Sequence, residues 1–373
     1  MKRYIYKNIV QDLKKKMVFI GGPRQVGKTT LAKSIIKQGY SSGRYFNWDF
    51  TEDKHDLLAF KWHKNHGLIV FDELHKYRNW KNWIKGVYDT KKDNNDFLVT
   101  GSARLNVYKK GGDSLLGRYY YWRLHPFGFD EYPKKMSKKE VFNRLMIFGG
   151  FPEPFLDGNE IQARRWRKEK FDRILMEDIR DLELVRHISL LELFVSQLRN
   201  RVGSLIVLSN IAGEIQVSFK TVKNWLDVLE RMYLIFQVRP YTKNLPRAVI
   251  KPPKVFFYDN GDVIGDKGAI FENLVATQLI KKIHFLEDTT GYRYDLRFIR
   301  DKEGREVDFV ILKEGIIQEL IEVKFSDDKV SKHLKYYAEK LNPKKASQIV
   351  ANLKNPYSIG KINVVDPVSY FIG

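Results

Sequence analysis

Gly21-Gly22-Pro23-Arg24-Gln25-Val26-Gly27-Lys28-Thr29-Thr30 contains Gly-x-x-x-x-Gly-Lys-Thr, and its reading decides the fold of the first third of the chain. Glycines at 22 and 27 let backbone N–H groups curl around an anion, and a helix beginning at Lys28 would present its positive N-terminus to the same point. The motif requires a strand before it and an amphipathic helix after it. "MVFI" at 17–20 and "TTLAKSIIKQ" at 29–38 meet both conditions. The loop Gly22, Pro23, Arg24, Gln25, Val26 and Gly27, with Lys28, Thr29 and Thr30, is therefore expected to hold a nucleotide. Lys28 would meet the β- and γ-phosphates, and the Thr29 hydroxyl would bind Mg²⁺. Without a ligand, the same glycines would make only a turn.

Working outward, residues 17–127 alternate strand-like and helix-like segments. "RYFNWDF" (44–50), "GLIVFDE" (67–73), "DFLVTGS" (96–102) and "YYYWRLHPF" (119–127) are rich in β-branched and aromatic residues, while "WKNWIKGVYDTK" (80–91) has helical periodicity. Alternation of this kind predicts a parallel sheet covered by helices. Four apolar residues before Asp72 and Glu73 mark a buried central strand with acids at its ligand-binding end. Asp72 would hold Mg²⁺ through water, and Glu73 would act as general base toward the attacking water; a strand-end acidic pair capping a helix is the plainer alternative. Thr100 and Ser102 would end a further strand as sensors of the γ-phosphate, in the ATPase class that has an extra strand between the P-loop strand and the Asp-Glu strand; "RYFNWDF" can be that extra strand. The chain has no Asn-Lys-x-Asp guanine signature, so ATP is expected over GTP, and an acid following Asp72 favours hydrolysis over transfer to a metabolite. Arg118 is either an arginine finger for a neighbouring subunit or a surface arginine.

The middle of the chain turns helical from about 138, and "LSNIAGEIQVSFKTVKNWLDVLERMYLI" (208–235) has the apolar spacing of a helix-turn-helix. Ser218 is a plausible N-cap for its second helix. Lys220, Thr221, Lys223 and Asn224 would then face DNA. A module that packs only against protein fits the same pattern, and the two readings stand level. In "REVDFVILKEGIIQELIEVKFS" (305–326), a hairpin turning at Glu314-Gly315-Ile316 would oppose Asp308 to Glu322, with Lys324 on the same face. Two opposed carboxylates call for a cation, so Asp308 and Glu322 are expected to bind a metal ion. Glu272 on the preceding helix is a further acid, and Glu272, Asp308, Glu322 and Lys324 would form a nuclease centre. The alternative is a nuclease-like fold used for binding only, with Lys324 neutralising the acids.

Composition sets the outer limits. The 373 residues carry 66 Lys and Arg against 45 Asp and Glu, a formal charge of +21. Such an excess favours a polyanionic partner, DNA above all. No apolar run approaches a bilayer span, the first residues have no export-signal pattern, and there is no cysteine. A cytoplasmic location without membrane partners is expected.

Taken together, "GGPRQVGKTTLA", "LIVFDELHK", "VTGSARL", "SLLGRYYYWRLHPFGFDEY", "FGGFPEPF" and the helix-turn-helix and "REVDF…EVKFS" stretches resemble the bacterial and archaeal AAA-type ATPases with a C-terminal DUF4143 domain. The resemblance spans nearly the whole chain. It implies an α/β fold with an AAA+ P-loop NTPase sheet (1–137), a helical lid or linker (138–200), a winged helix-turn-helix (201–253) and a restriction-endonuclease-like α/β domain (254–373). It also implies ATP and Mg²⁺ as cofactors and a homo-oligomer, with a hexamer among the rings such proteins form. The helical part shows no clear second-sensor arginine motif, so the resemblance does not fix how closely assembly follows ring-forming relatives. Mg²⁺-dependent ATP hydrolysis coupled to binding or remodelling of DNA, with branched or repair intermediates as substrates, is the expected function. An ATP-gated metal-dependent nuclease and an ATP-switched protein-binding scaffold are the rivals.

Overall fold

The structure, a computed structural model, describes residues 2–62, 67–101, 115–133, 135–179, 187–242 and 251–372. Two compact units make up the chain: Met1–Pro126 with Arg231–Tyr233, and Phe127–Glu230 with Leu234–Gly373.

In the first unit β1 (Met17–Gly21), β2 (Gly43–Asn47), β3 (Leu68–Asp72), β4 (Asp96–Thr100) and β5 (Tyr119–Arg123) form one sheet in the order β2-β3-β4-β1-β5, every pair parallel. Parallel strands are covered on both faces, and every residue of β1 and β3 is accordingly buried. Helices Lys28–Gly39 and Trp80–Lys91 match the amphipathic patterns at 29–38 and 80–91. One expectation is corrected. The strand lying between the P-loop strand and the acidic strand is β4, whereas β2, the "RYFNWDF" strand, lies at the sheet edge. Apolar run length favours β4 there, because Phe97, Leu98, Val99 and Thr100 are all buried while β2 buries only Phe46.

The chain enters the second unit at Phe127, ahead of the boundary expected at 137. Phe127 donates its N–H to the Gly150 carbonyl (2.6 Å), and buried Lys281 holds Asp130 at 2.8 Å and Glu131 at 2.5 Å. Helices Lys138–Phe148, Pro152–Asp157, Glu160–Arg173 and Ile188–Arg199 follow. The helix-turn-helix is formed by Leu208–Glu214 and Phe219–Arg231, burying Ile211, Ala212, Val222, Trp225, Leu226 and Leu229. Ser218 caps the second helix as the sequence suggests, accepting from the Thr221 N–H at 3.1 Å.

β6 (Ile235–Pro240) and β7 (Lys254–Phe257) make the antiparallel wing, but β6 also pairs in parallel with β8 (Tyr294–Arg300). The boundary expected at 253/254 thus runs through a continuous sheet. Its further strands are β9 (Glu306–Lys313), β10 (Ile316–Lys324), β11 (Lys345–Val350), β12 (Tyr357–Ile359) and β13 (Ile362–Val365), in the order β12-β13-β11-β10-β9-β8-β6-β7. The β9–β10 hairpin turns on two residues, Glu314 (φ 50°) and Gly315 (φ 78°), and not on the three expected. Both positive φ values fit a type I′ turn, whose twist matches that of the strands. A bulge at Gln318 then shifts the register, so that Glu319 faces Ile311 and Leu320 faces Val310. This is the register expected from the sequence, reached by a shorter turn and one extra residue.

Candidate functional site

The P-loop is built by backbone that side chains tolerate poorly. Gly22 has φ +147°, and a Cβ there would lie 2.3 Å from the Leu124 carbonyl oxygen. Gln25 (φ 62°) and Gly27 (φ 95°) also take positive φ. Arg3, buried near the chain start, donates to the Val26 carbonyl in the loop (2.8 Å) and to the carbonyl of His125. No sequence pattern announces Arg3, because its two acceptors lie 23 and 122 residues further along the chain. Lys28 Nζ donates to the carbonyls of Gly22 (3.1 Å) and Pro23 (2.7 Å) across the mouth of the loop.

Asp72 is the hub of this edge. Its Oδ2 accepts from Thr29 Oγ1 (2.6 Å) and from the Tyr45 hydroxyl (2.6 Å), and its Oδ1 accepts from Thr100 Oγ1 (2.5 Å). Register explains the convergence: Asp72 pairs with Asn47 on β2 and Thr100 on β4, and Ile20 at the end of β1 pairs with Thr100. Thr29 and Asp72, the two groups expected at Mg²⁺, are therefore in direct contact, and the hydroxyl-carboxylate pair suits a hard cation. Thr100, expected to sense a γ-phosphate, donates its hydroxyl proton to Asp72 here. Ser102 lies outside the described residues. Tyr45 was missed by the sequence reading, since it lies two residues from the strand end and only cross-strand geometry brings it to Asp72. Burial and the Asp72 carboxylate push its phenol up.

Glu73 follows in the left-handed conformation (φ 56°), with its N–H on the Thr100 carbonyl at 3.0 Å. Such backbone is uncommon outside glycine and turns the side chain out of the strand direction. Burial pushes its carboxyl up, opposed by the Lys28 ammonium. Buried His75 places Nε2 3.5 Å from Glu73 Oε2, and Lys76 stands 4.0 Å from the same oxygen. An acid raised in this way is better matched to accepting a proton near neutrality than an ordinary carboxylate. Arg118 forms a two-pronged pair with Asp89 on the helix Trp80–Lys91, Nε–Oδ1 2.7 Å and Nη2–Oδ2 3.1 Å.

In the second unit, Lys220, Lys223 and Asn224 are exposed on the first turns of the helix Phe219–Arg231. The Thr221 hydroxyl lies 2.8 Å from that of Ser218 and belongs to the cap. The expected acids do assemble, with two members the sequence reading omitted, Lys254 and Glu306. Lys254, 3% exposed, sends Nζ to 2.6 Å from Glu306 Oε1, 3.2 Å from Glu272 Oε1 and 3.9 Å from Asp308 Oδ1. Asp308 Oδ2 accepts the Val323 N–H at 2.8 Å, and Lys324 Nζ pairs with Glu322 Oε1 at 2.8 Å. Burial, with Asp308 as a second cause, raises Glu322 to about 7; burial raises Glu272 to about 8, against the pull of Lys254. Among the described residues no three acidic or histidine side chains are arranged to hold a metal ion. Likewise no described helix is long and apolar enough to cross a membrane.

Comparison with known proteins places these sites in three matched segments. Residues 14–133 match the family described as an AAA domain, residues 139–263 a domain of unknown function, DUF8612, and residues 267–371 a second one, DUF4143. An uncharacterized protein of Methanocaldococcus jannaschii is 25% identical over 390 residues, covering 94% of this chain and 85% of its own. An uncharacterized protein of Haemophilus influenzae is 24% identical over 329 residues, 79% of each chain. Among solved structures, the Holliday junction branch migration motor RuvB of Thermotoga maritima covers 62% of this chain and 87% of its own at 13% identity, with a TM-score of 0.32. Pif1 of Bacteroides bound to ssDNA covers 41% and 48% at 14% identity, with a TM-score of 0.22. Likenesses this loose say nothing about substrate. The chain carries an AAA domain, followed by a DUF8612 domain and a DUF4143 domain.

Proposed function

We propose that the chain is a Mg²⁺-dependent ATPase that couples hydrolysis to binding or remodelling of DNA. The observation that supports the ATPase reading best is the contact of Thr29 with Asp72 beside the P-loop, with Glu73 next along the strand end. The loop N–H groups and the start of the helix Lys28–Gly39 would bind the phosphates. Lys28, at present on two loop carbonyls, would exchange them for β- and γ-phosphate oxygens. Mg²⁺ held by Thr29 and, through water, by Asp72 would neutralise developing phosphate charge. Thr100 and Tyr45 keep the Asp72 oxygens oriented. Glu73, raised by burial, takes the proton of the attacking water. Arg118 would serve a neighbouring copy in a homo-oligomer once released from Asp89.

For DNA, the support is the formal charge of +21 and the exposed Lys220, Lys223 and Asn224 on one helix. A second reading, an ATP-switched module that binds protein, draws on Phe219, 54% exposed at the start of that helix. ATP turnover measured with no DNA and with single-stranded, duplex, forked and four-way DNA separates them. Stimulation by DNA is expected, strongest with a branched form. Turnover that no DNA changes would favour the protein-binding reading.

A further inference from the structure

The acidic centre of the second unit bears on a different chemistry. A restriction-endonuclease-like fold with Asp308, Glu322 and Lys324 in place implies a divalent ion, and the side chains around it fit one poorly. We infer that Lys254 is the resident cation of this centre, and that the second unit neither binds a divalent ion there nor cleaves phosphodiesters. The inference is independent of the ATPase reading.

Position comes first. A divalent ion would need carboxylate oxygens at roughly 2.0–2.6 Å. Lys254 Nζ already stands 2.6 Å from Glu306 and within 4 Å of Glu272 and Asp308. It arrives by a route that leaves it little freedom. Its backbone pairs with Val238 on β6 and bridges to Leu205, and its ammonium lies over the Phe298 ring at 5.6 Å. Glu272 is equally confined: a Cβ at Gly203, where φ is +73°, would come within 2.6 Å of its Oε2.

Charge comes second. Four carboxylates (Glu272, Glu306, Asp308 and Glu322) face Lys254, Lys324 and Arg300, the last 2.9 Å from Glu306 Oε2. Positive charge thus already stands beside each of the four acids. An added dication would meet the Lys254 ammonium at close range.

The test is Mn²⁺ binding without nucleotide, followed by the electron paramagnetic resonance signal of free Mn²⁺, in the full chain. Wild type and Asp308→Asn should bind the same number of ions, and supercoiled plasmid with Mg²⁺ or Mn²⁺ should stay intact with wild type. Lys254→Gln should gain one site at least tenfold tighter than any in wild type, and Lys254→Gln/Asp308→Asn should lose it. A wild-type site that Asp308→Asn removes, or cleavage that depends on Asp308, would overturn the inference. So would a folded Lys254→Gln that gains no site. Should Lys254→Gln fail to fold, the comparison of wild type with Asp308→Asn decides without it.

Discussion

Thr100→Val tests whether the threonine at the end of β4 orients Asp72 or senses phosphate. Thr100 is 0% exposed and Asp72 5% exposed, and the bond between them is 2.5 Å. Valine keeps the shape and deletes the donor. The Asp72 carboxylate then loses the hydrogen bond that Thr100 donates to its Oδ1, in a site with little access to water, a cost of about 1.5–3 kcal/mol. With a urea dependence of about 2 kcal/mol per molar, the unfolding midpoint of the first unit should fall by roughly 1 M. Turnover should fall by roughly tenfold for each 1.4 kcal/mol of that interaction lost at the transition state, while ATP affinity changes little, because the loop and Lys28 are untouched. Thr100→Ser keeps the hydroxyl and should restore both stability and rate. Urea titrations and steady-state ATP turnover on the three proteins read these out. A γ-phosphate sensor would behave differently, with unchanged stability and a loss of discrimination between ATP and ADP. That pattern, or serine as damaging as valine, would refute the orienting role.

Three further outcomes are expected. Glu73→Gln should retain nucleotide affinity and lose roughly 10²–10⁴-fold in kcat, because only the proton acceptor is removed; turnover near wild type would end its assignment as base. Replacing Lys220 and Lys223 by alanine should flatten the dependence of DNA affinity on salt by roughly one logarithmic unit per lost phosphate contact, and an unchanged slope would take the helix-turn-helix out of the DNA interface. For Asp301, burial pushes the carboxyl up, but hydrogen bonds from Arg305 and Tyr337 outweigh it and bring it to about 2 from 3.8. Its folded value lies below its unfolded one, so its stabilisation is present above about pH 4 and lost as pH falls through 2. The urea midpoint of Asp301→Asn should therefore lie below wild type at pH 5 and converge on it near pH 2; a constant gap would count against the linkage.

How much of the nucleotide site was legible depends on whether its determinants are local. The P-loop, the helix behind it and the acids at 72 and 73 each follow from a run of neighbouring residues, and the structure has them on the expected elements. The donors to Asp72 beyond Thr29 follow from sheet order. Tyr45 and Thr100 reach it from opposite sides because β2 and β4 flank β3, and strand order in a parallel sheet is not written in any one strand. The "RYFNWDF" segment was given the inner position for this reason, although its lone buried Phe46 suits an edge. Arg3 was illegible too, being a single arginine in a basic stretch, with backbone carbonyls as its acceptors.

The acidic centre shows the same division more sharply. Asp308, Glu322 and Lys324 lie within one hairpin, so alternation and turn chemistry were enough to bring them to one place. Even there the turn length was misjudged by one residue, and the bulge at Gln318 restored the register. What such a motif leaves open is the identity of the cation. Opposed carboxylates state only that positive charge is required, and a divalent ion, a proton and a lysine each meet that requirement. The choice is made by Lys254, which comes from the wing strand β7 more than fifty residues upstream of Asp308. It enters the same sheet only because β6 pairs with both β7 and β8. Joining β6 and β7 to the C-terminal sheet is thus what delivers an ammonium among the acids, and a boundary at 253 hides it. A motif that spans one hairpin can place the ligands of a centre, but its chemistry also depends on what the neighbouring strands send into it.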